Sequence, residues 1–156
     1  FASSLGAAAF AFFELAADSL SPPPPALAAT ARFSRITIGI GRPGLPVVRR
    51  AADYLPTIEQ GLADVELSGR RFDLCLYNAG MDPFERCGIG GRRGMTVELL
   101  AEREETVFAW CSASGLPVAF VLAGGYTSAG FSQAELVNLH RLTLDAAVRH
   151  AASIIQ

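Results

Sequence analysis

The stretch FDLCLYNAGMDPFE, residues 72–85, decides how the rest of the chain is interpreted. Residues 72–77 form a short apolar run, which is typical of a buried β-strand. The chain then passes through a glycine, Gly80, and delivers the carboxylate of Asp82 directly before a proline. In open α/β sheets, ligand sites gather at the carboxyl ends of strands. The stretch therefore predicts a carboxylate at the edge of a sheet where a site is expected.

A second apolar run, residues 118–122, ends in a similar way. Its continuous apolar character predicts a strand that is covered on both faces. Gly124 and Gly125 follow and bring the chain to Tyr126. Glycine lets a backbone turn tightly and approach a ligand closely. Asp82 and Tyr126 are thus candidate site residues; the alternative is an aspartate that caps a turn or helix and a tyrosine that only occupies a turn.

Strand and helix patterns alternate along the chain, which predicts its fold class. The predicted strands are residues 35–40, 72–77 and 118–122, and the predicted helices are residues 51–65, 97–114 and 133 to about 154. Thr96 can cap the second helix, and a capping box, Ser132-Gln-Ala-Glu135, opens the third. Alternating helices and strands predict an α/β fold, with a parallel sheet flanked by helices, over residues 51–156.

Residues 1–50 form a poorly assigned N-terminal segment. Residues 1–17 are rich in alanine and phenylalanine, and we expect a buried or partner-facing helix there. Glu14 interrupts the run and no basic region precedes it, so it resembles neither a membrane span nor a signal peptide. Four prolines at residues 22–25 predict a stiff, extended spacer. The first methionine is Met81, so we expect a fragment, a processed product or the product of a truncated gene model.

The composition excludes several classes of protein. A net charge of −2 gives no electrostatic reason to expect nucleic acid or an anionic membrane as partner. Apolar residues make up 51% of the chain, which indicates a globular domain. The three cysteines are odd in number and widely spaced, which predicts neither a disulfide framework nor a metal knuckle and suits a reducing compartment.

Two glycine-rich stretches resemble phosphate-binding loops. The first, residues 39–44, matches GxGxxG, but Pro43 and Pro46 bracket its last glycine and prevent a helix from starting there. We reject a dinucleotide site at this position. The second, residues 88–94, contains two arginines. We expect it to be a flexible loop that borders the site opened by Asp82, with phosphate binding as the alternative.

The two histidines do not form a catalytic centre of their own. His140 and His150 lie ten residues apart in the last predicted helix, which places them about 80° away from a shared helical face. They are not expected to converge on one point. We interpret His140 as a core or surface residue of the helix, and no Ser–His–Asp or Cys–His arrangement is indicated.

Three stretches together resemble a known family of enzymes: FDLCLYNAGMDPFE, GMTVELLAEREETVFAWC and GLPVAFVLAGGYTSAG. They are similar to the C-terminal part of the zinc-dependent histone deacetylase family, which also includes acetoin-utilisation and acetylpolyamine deacetylases. The resemblance is closest to the class IV-like branch and covers roughly residues 52–147. It implies an arginase/deacetylase-like sheet of which this chain holds only the C-terminal portion.

The resemblance implies a role for particular residues. The aspartate of its G-x-D motif, Asp82 after Gly80, is a ligand of the catalytic Zn²⁺. The tyrosine of its G-G-Y motif, Tyr126 after Gly124 and Gly125, donates its hydroxyl to the substrate carbonyl as that oxygen gains negative charge. Ile89 lines the rim of the acyl-lysine tunnel in the same alignment.

The chain also departs from the family. The family supplies two more zinc ligands from an upstream D-x-H motif and a base from an upstream His-His pair, but no histidine precedes His140 here. We therefore expect this chain alone to be inactive and to hold no zinc by itself. It would belong to a larger protein or oligomer whose other half is missing here.

Two functions follow from these observations. The first is zinc-dependent deacetylation of an acetylated protein or a small acylated amine, in the cytoplasm or, in a eukaryote, the nucleus. The alternative is a deacetylase-like binding or scaffold module without catalysis. No direct binding of nucleic acid and no membrane association are expected for either.

Overall fold

The computed structural model describes residues 48–151 and, before them, the backbone of two strands, Phe12–Ala16 and Arg35–Gly39. The proline spacer at residues 22–25 and the glycine-rich turn after Gly39 lie outside the described residues, as does most of the helix expected over residues 1–17.

Four strands and three helices make up the described fold. In chain order they are β1 (Phe12–Ala16), β2 (Arg35–Gly39), a short 3₁₀ turn (Ala51–Asp53), α1 (Tyr54–Leu67), β3 (Leu74–Gly80), α2 (Val97–Ala113), β4 (Val118–Ala123) and α3 (Gln133–Ala151). From α1 onward, helices and strands alternate as expected, so the α/β class is confirmed.

The described strands form one sheet in the order β1-β2-β3-β4. β3 is parallel to both β2 and β4, whereas β1 is antiparallel to β2. The parallel pairing predicted for residues 51–156 is confirmed for β3 and β4, and β1 adds an antiparallel strand that the sequence analysis did not predict. An antiparallel neighbour needs no crossover helix, so a strand can be added there without the βαβ connection that parallel strands require. Two strands from residues 1–50 thus join the sheet of the later part.

The expected helix over residues 1–17 is wrong for its described part, which is the strand β1. Residues Phe12 and Phe13 begin β1 and align with Gly39 and Ile38 of β2. Aromatic residues favour strands, and pairing with a neighbouring strand outweighs the helical preference of the surrounding alanines.

β3 runs three residues further than the sequence indicates. It was expected to end at Tyr77, but Asn78, Ala79 and Gly80 continue it to Gly80. Their partners in β4 are Val121, Leu122 and Ala123. A ladder of hydrogen bonds to a neighbouring strand fixes these small and polar residues in an extended conformation, which their own propensities do not indicate.

Helix α2 packs on the sheet through aromatic side chains. The ring of Phe108 lies edge-on to Tyr77 of β3 and Phe120 of β4, with centroid distances of 5.8 and 5.4 Å. These contacts cover the Tyr77 and Phe120 positions on one face of the β3–β4 pair, and edge-to-face pairs of this kind add to the energy of area burial.

The prediction that β4 is covered on both faces is wrong. Val121 is 58% exposed and Leu122 is 44% exposed. β4 is the last strand in the described sheet order, and successive side chains of a strand point to opposite faces. Phe120 therefore packs under α2 while Val121, its neighbour in the chain, points away from that face.

Both predicted helix starts are confirmed. The Thr96 side chain accepts a hydrogen bond from the backbone N–H of Leu99 at 3.3 Å, which caps α2. Ser132 and Glu135 form the capping box before α3, since each side chain accepts from the other residue's backbone N–H. Pro56 lies in the first turn of α1, where a missing N–H has little effect.

Cys75, Cys87 and Cys111 are buried free thiols. Within the described part of the chain, no helix combines the length and the apolar character that a bilayer crossing requires.

Candidate functional site

The ends of β3 and β4 bring the two candidate motifs together. The strands are parallel neighbours, and the last paired row joins Gly80 to Ala123. Just beyond it, the backbone N–H of Met81 donates to the carbonyl of Ala123 at 3.0 Å. The exits of the two strands are therefore adjacent at one edge of the sheet.

Asp82 lies against the loop that follows β4. Its Oδ1 accepts a hydrogen bond from the backbone N–H of Gly125 at 3.2 Å. The residue is partly buried, so one carboxylate oxygen is fixed by the protein while the site remains within reach of solvent. A backbone hydrogen bond of this kind orients a carboxylate without neutralising its charge.

Gly124 and Gly125 are required by this close approach. Their φ angles are +62° and +84°, which lie in a backbone region that residues other than glycine rarely adopt. A Cβ on Gly124 would lie 2.0 Å from Oδ2 of Asp82, and a Cβ on Gly125 would lie 2.4 Å from Cδ1 of Leu136. The two glycines therefore make room for the carboxylate on one side and for α3 on the other.

Tyr126 leaves this loop with 47% of its surface exposed. Its carbonyl oxygen accepts a hydrogen bond from the backbone N–H of Gly88 at 2.9 Å, so the backbone is fixed while the side chain reaches solvent. The arrangement allows the phenol to meet a molecule that enters from outside.

The glycine-rich loop at residues 88–94 borders the site, as expected. A Cβ on Gly88 would meet the carbonyl oxygen of Thr127 at 2.7 Å, and one on Gly90 would meet Cβ of Asp82 at 3.2 Å. Ile89 lies between these two contacts and is 56% exposed. It therefore stands at the surface beside both candidate motifs, as an apolar residue at the border of the site.

This loop is held by side chains as well as by its backbone. The thiol of Cys87 donates to the carbonyl of Met81 at 3.2 Å, one residue before Asp82. Burial is the largest effect on the Cys87 thiol and raises its pKa. The nearby charge of Asp82 also raises this pKa, whereas a hydrogen bond with the backbone of Tyr126 lowers it. The thiol therefore stays protonated as a donor at neutral pH.

His140 is a residue near the site that the sequence interpretation missed. Its Nε2 lies 3.2 Å from the carbonyl oxygen of Gly124, directly behind the loop that contacts Asp82. His150 is elsewhere, with Nε2 2.9 Å from Oε2 of Glu105. The two histidines do not converge, as predicted. The signal for His140 was its place in α3, the helix that starts soon after Tyr126 and returns over that loop.

The described residues do not complete a metal site. Asp82 offers a carboxylate, which suits Zn²⁺, but a catalytic zinc takes three protein ligands. Among residues 48–151, no three histidine, cysteine, aspartate or glutamate side chains are grouped closely enough to hold a metal ion. The carboxylate of Asp82 is a suitable zinc ligand. The described residues do not bring together the three ligands that a catalytic zinc site needs.

Comparisons with known proteins identify a relative that is itself uncharacterised. No family model matches the chain. An uncharacterised protein of Picosynechococcus sp. is 34% identical over 113 residues. The match covers 70% of this chain and 33% of that protein, so the chain spans about a third of the relative's length. Because the relative is uncharacterised, the similarity indicates a shared segment and assigns no activity.

Proposed function

We propose that this chain is the C-terminal part of a zinc-dependent deacetylase with an arginase/deacetylase-like fold, closest to the class IV-like branch. The observation that carries the proposal is the meeting of Asp82 with the Gly124–Gly125–Tyr126 loop at adjacent parallel strand ends. The close approach also explains both glycines, because neither has room for a side chain.

In this proposal Asp82 is one ligand of the metal. Its hydrogen bond from Gly125 holds the carboxylate in one orientation, as hydrogen bonds to metal-ligating carboxylates commonly do. Since the described residues do not supply a full set of ligands, the remaining ligands and the general base come from other parts of the whole protein. The zinc is a property of that whole protein and not of this chain alone.

Tyr126 is the proposed hydrogen-bond donor to the substrate. A phenol fixed through its backbone and exposed at its side chain can meet the carbonyl oxygen of an acyl group. When a nucleophile adds to that carbonyl, the oxygen becomes an oxyanion, and a positioned donor stabilises it more than the neutral carbonyl. This difference is what lowers the barrier.

The proposed substrate is an acetyl-lysine side chain in a protein or a small acylated amine. Ile89 offers an exposed apolar surface beside the site that suits the methylene chain of either substrate. A cytoplasmic location, or a nuclear one in a eukaryote, belongs to the same proposal.

The test uses the protein expressed from the complete reading frame that contains this chain. It should release acetate from an acetyl-lysine peptide or an acetylated diamine and contain zinc. Asp82→Asn should lower the zinc content, since the ligand loses its charge, and abolish turnover. Asp145→Asn, the same change at an exposed position of α3, should leave both unchanged.

A whole protein that contains no zinc and releases no acetate would overturn the proposal. If that protein still bound the acetylated peptide, the binding or scaffold module would be the better description.

A further inference from the structure

Arg103 is a charged side chain buried inside the domain. It is 1% exposed, and Glu104, beside it in α2, is fully buried. Burying a charge is unfavourable unless it is paired and hydrogen-bonded, and an ordinary contact between a helix and a strand needs only apolar side chains. A buried arginine at this position therefore has to be stabilised by the hydrogen bonds that it makes.

The guanidinium of Arg103 joins three elements of the fold. Its Nη1 donates to the carbonyl oxygen of Gly80 at 2.7 Å and to the hydroxyl of Tyr54 at 3.1 Å. Its Nε donates to Oε1 of Glu104 at 2.9 Å, and Nη2 also bonds that carboxylate. The end of β3 is thereby connected to the start of α1 and to the middle of α2.

The Gly80 carbonyl points to the side of β3 on which none of the described strands pairs with it at this level. The N–H groups of Cys75 and Met81 donate towards β4, to Pro117 and Ala123. Alternate residues of a strand direct their polar groups to the same side, so Gly80 faces away from β4. The described pairing with β2 ends at Cys75. Arg103 satisfies this carbonyl in place of a neighbouring strand.

The hydrogen bond from Arg103 to Gly80 fixes the backbone directly before Asp82. Asp82 is two residues beyond Gly80, and Nη2 of Arg103 also lies 3.5 Å from Sδ of Met81, the residue between them. Gly80 is paired with Ala123, directly before the Gly124–Gly125 loop. A shift of the Gly80 peptide would move the Asp82 carboxylate relative to the N–H that it accepts from.

We infer that Arg103 is a positioning residue, which fixes the end of β3 and thereby holds Asp82 against the loop that carries Tyr126. The inference about geometry stands on the contacts of Arg103, and only its effect on turnover rests on the proposed function. Arg103 does not touch the substrate in this assignment.

The test replaces the buried ion pair with apolar residues in the protein from the complete reading frame. In the double variant Arg103→Met with Glu104→Leu, no buried charge is left unpaired, so the fold can be retained. The amide of Gly125 should then exchange its hydrogen faster, by roughly tenfold or more, because its acceptor on Asp82 is no longer held in place. The value of kcat should fall by about tenfold or more while KM stays near that of the wild type.

Two further variants keep the result interpretable. Arg149→Met removes an arginine from an exposed pair with Glu105 and should change neither the Gly125 exchange rate nor kcat. Arg103→Lys retains the charge and one donor group and should give values between those of the wild type and the double variant, and it carries the test if the double variant does not fold.

Wild-type exchange at Gly125 in a folded Arg103 variant would overturn the inference. Faster exchange in a protein without deacetylase activity would leave the inference standing and count against the proposed function alone.

Discussion

The position of Asp82 is fixed by two residues that have no side chain, Gly124 and Gly125. Gly124 leaves a space that the carboxylate fills, and Gly125 supplies the N–H that it accepts from. Each glycine is in a backbone region that other residues avoid. At the scale of single residues, the site consists of one carboxylate and one phenol that are held by glycine backbone.

Tyr126 provides the sharpest prediction at this scale. Tyr126→Phe in the protein from the complete reading frame should lower kcat by about 10²–10³-fold, because in the proposed role its hydroxyl stabilises the carbonyl oxygen only as that oxygen gains charge. KM and zinc content should stay near the wild-type values. Steady-state kinetics with an acetyl-lysine peptide and metal analysis measure these quantities.

A control for this change is Thr106→Val. It removes a hydroxyl that donates to the carbonyl oxygen of Glu102 on the exposed side of α2, away from the site. Its kcat should remain unchanged. If the Tyr126→Phe variant kept the wild-type kcat, the proposed role as hydrogen-bond donor would be wrong, and Tyr126 would only occupy a turn.

The start of α3 shows how a single element is fixed by local contacts. Glu135 accepts hydrogen bonds from the hydroxyl and the N–H of Ser132, at 2.7 and 2.8 Å. Its other oxygen accepts from Arg86 at 2.8 Å, which ties α3 to the loop after Asp82. The Ser132 hydroxyl, the Ser132 N–H and the Arg86 guanidinium lower the pKa of Glu135 to about 2.

This pKa predicts a dependence of stability on pH. The pKa of Glu135 is lower in the folded state than the usual value of about 4.3, so its contribution is complete above that value and is lost as the pH falls towards about 2. The difference in free energy of unfolding between the wild type and Glu135→Gln should shrink over that range. Urea unfolding at several pH values between 2 and 7 measures it.

Ser132→Ala separates the cap from the ion pair with Arg86. In a Ser132→Ala background, Glu135→Gln should have a smaller effect, because the strongest partner of the carboxylate has gone. A difference that stays constant from pH 7 to pH 2 would contradict the coupling of Glu135 to the cap.

At the scale of the whole molecule, apolar residues remain exposed on both β4 and α3. Val121 and Leu122 lie on β4, while Val137, Leu144 and Val148 share one stripe of α3, since their spacing matches whole helical turns. An uncovered edge strand with apolar neighbours is a surface that other chains can bind.

We therefore predict that the 156-residue chain by itself associates with other copies or binds an apolar dye. Val121→Lys should reduce association in sedimentation experiments, because a charge on an exposed edge strand opposes strand pairing. Since Val121 is exposed, the free energy of unfolding should change little, within about 0.5 kcal/mol.

Val107→Lys is the contrasting variant, because Val107 is buried in the core and the same charge there should unfold the protein. A wild-type chain that stays monomeric at all concentrations and binds no dye would contradict the prediction.

The sequence by itself determined the parts of this protein that depend on neighbours in the chain. The periodicity of α1 and α2, the Thr96 cap, the Ser132–Glu135 capping box and the β3–β4 succession were predictable, because each depends on contacts within a few residues or on the alternation of helix and strand. The same alternation predicted that Asp82 and Tyr126 follow the carboxyl ends of strands.

The tertiary structure alone decided the rest. Pairing with β2 made Phe12–Ala16 a strand, and pairing with β4 extended β3 to Gly80. The position of β4 at the end of the described sheet order left Val121 exposed, and the return of α3 brought His140 to the Gly124 carbonyl. These features arise from contacts between residues far apart in the sequence, which local propensity and periodicity do not encode.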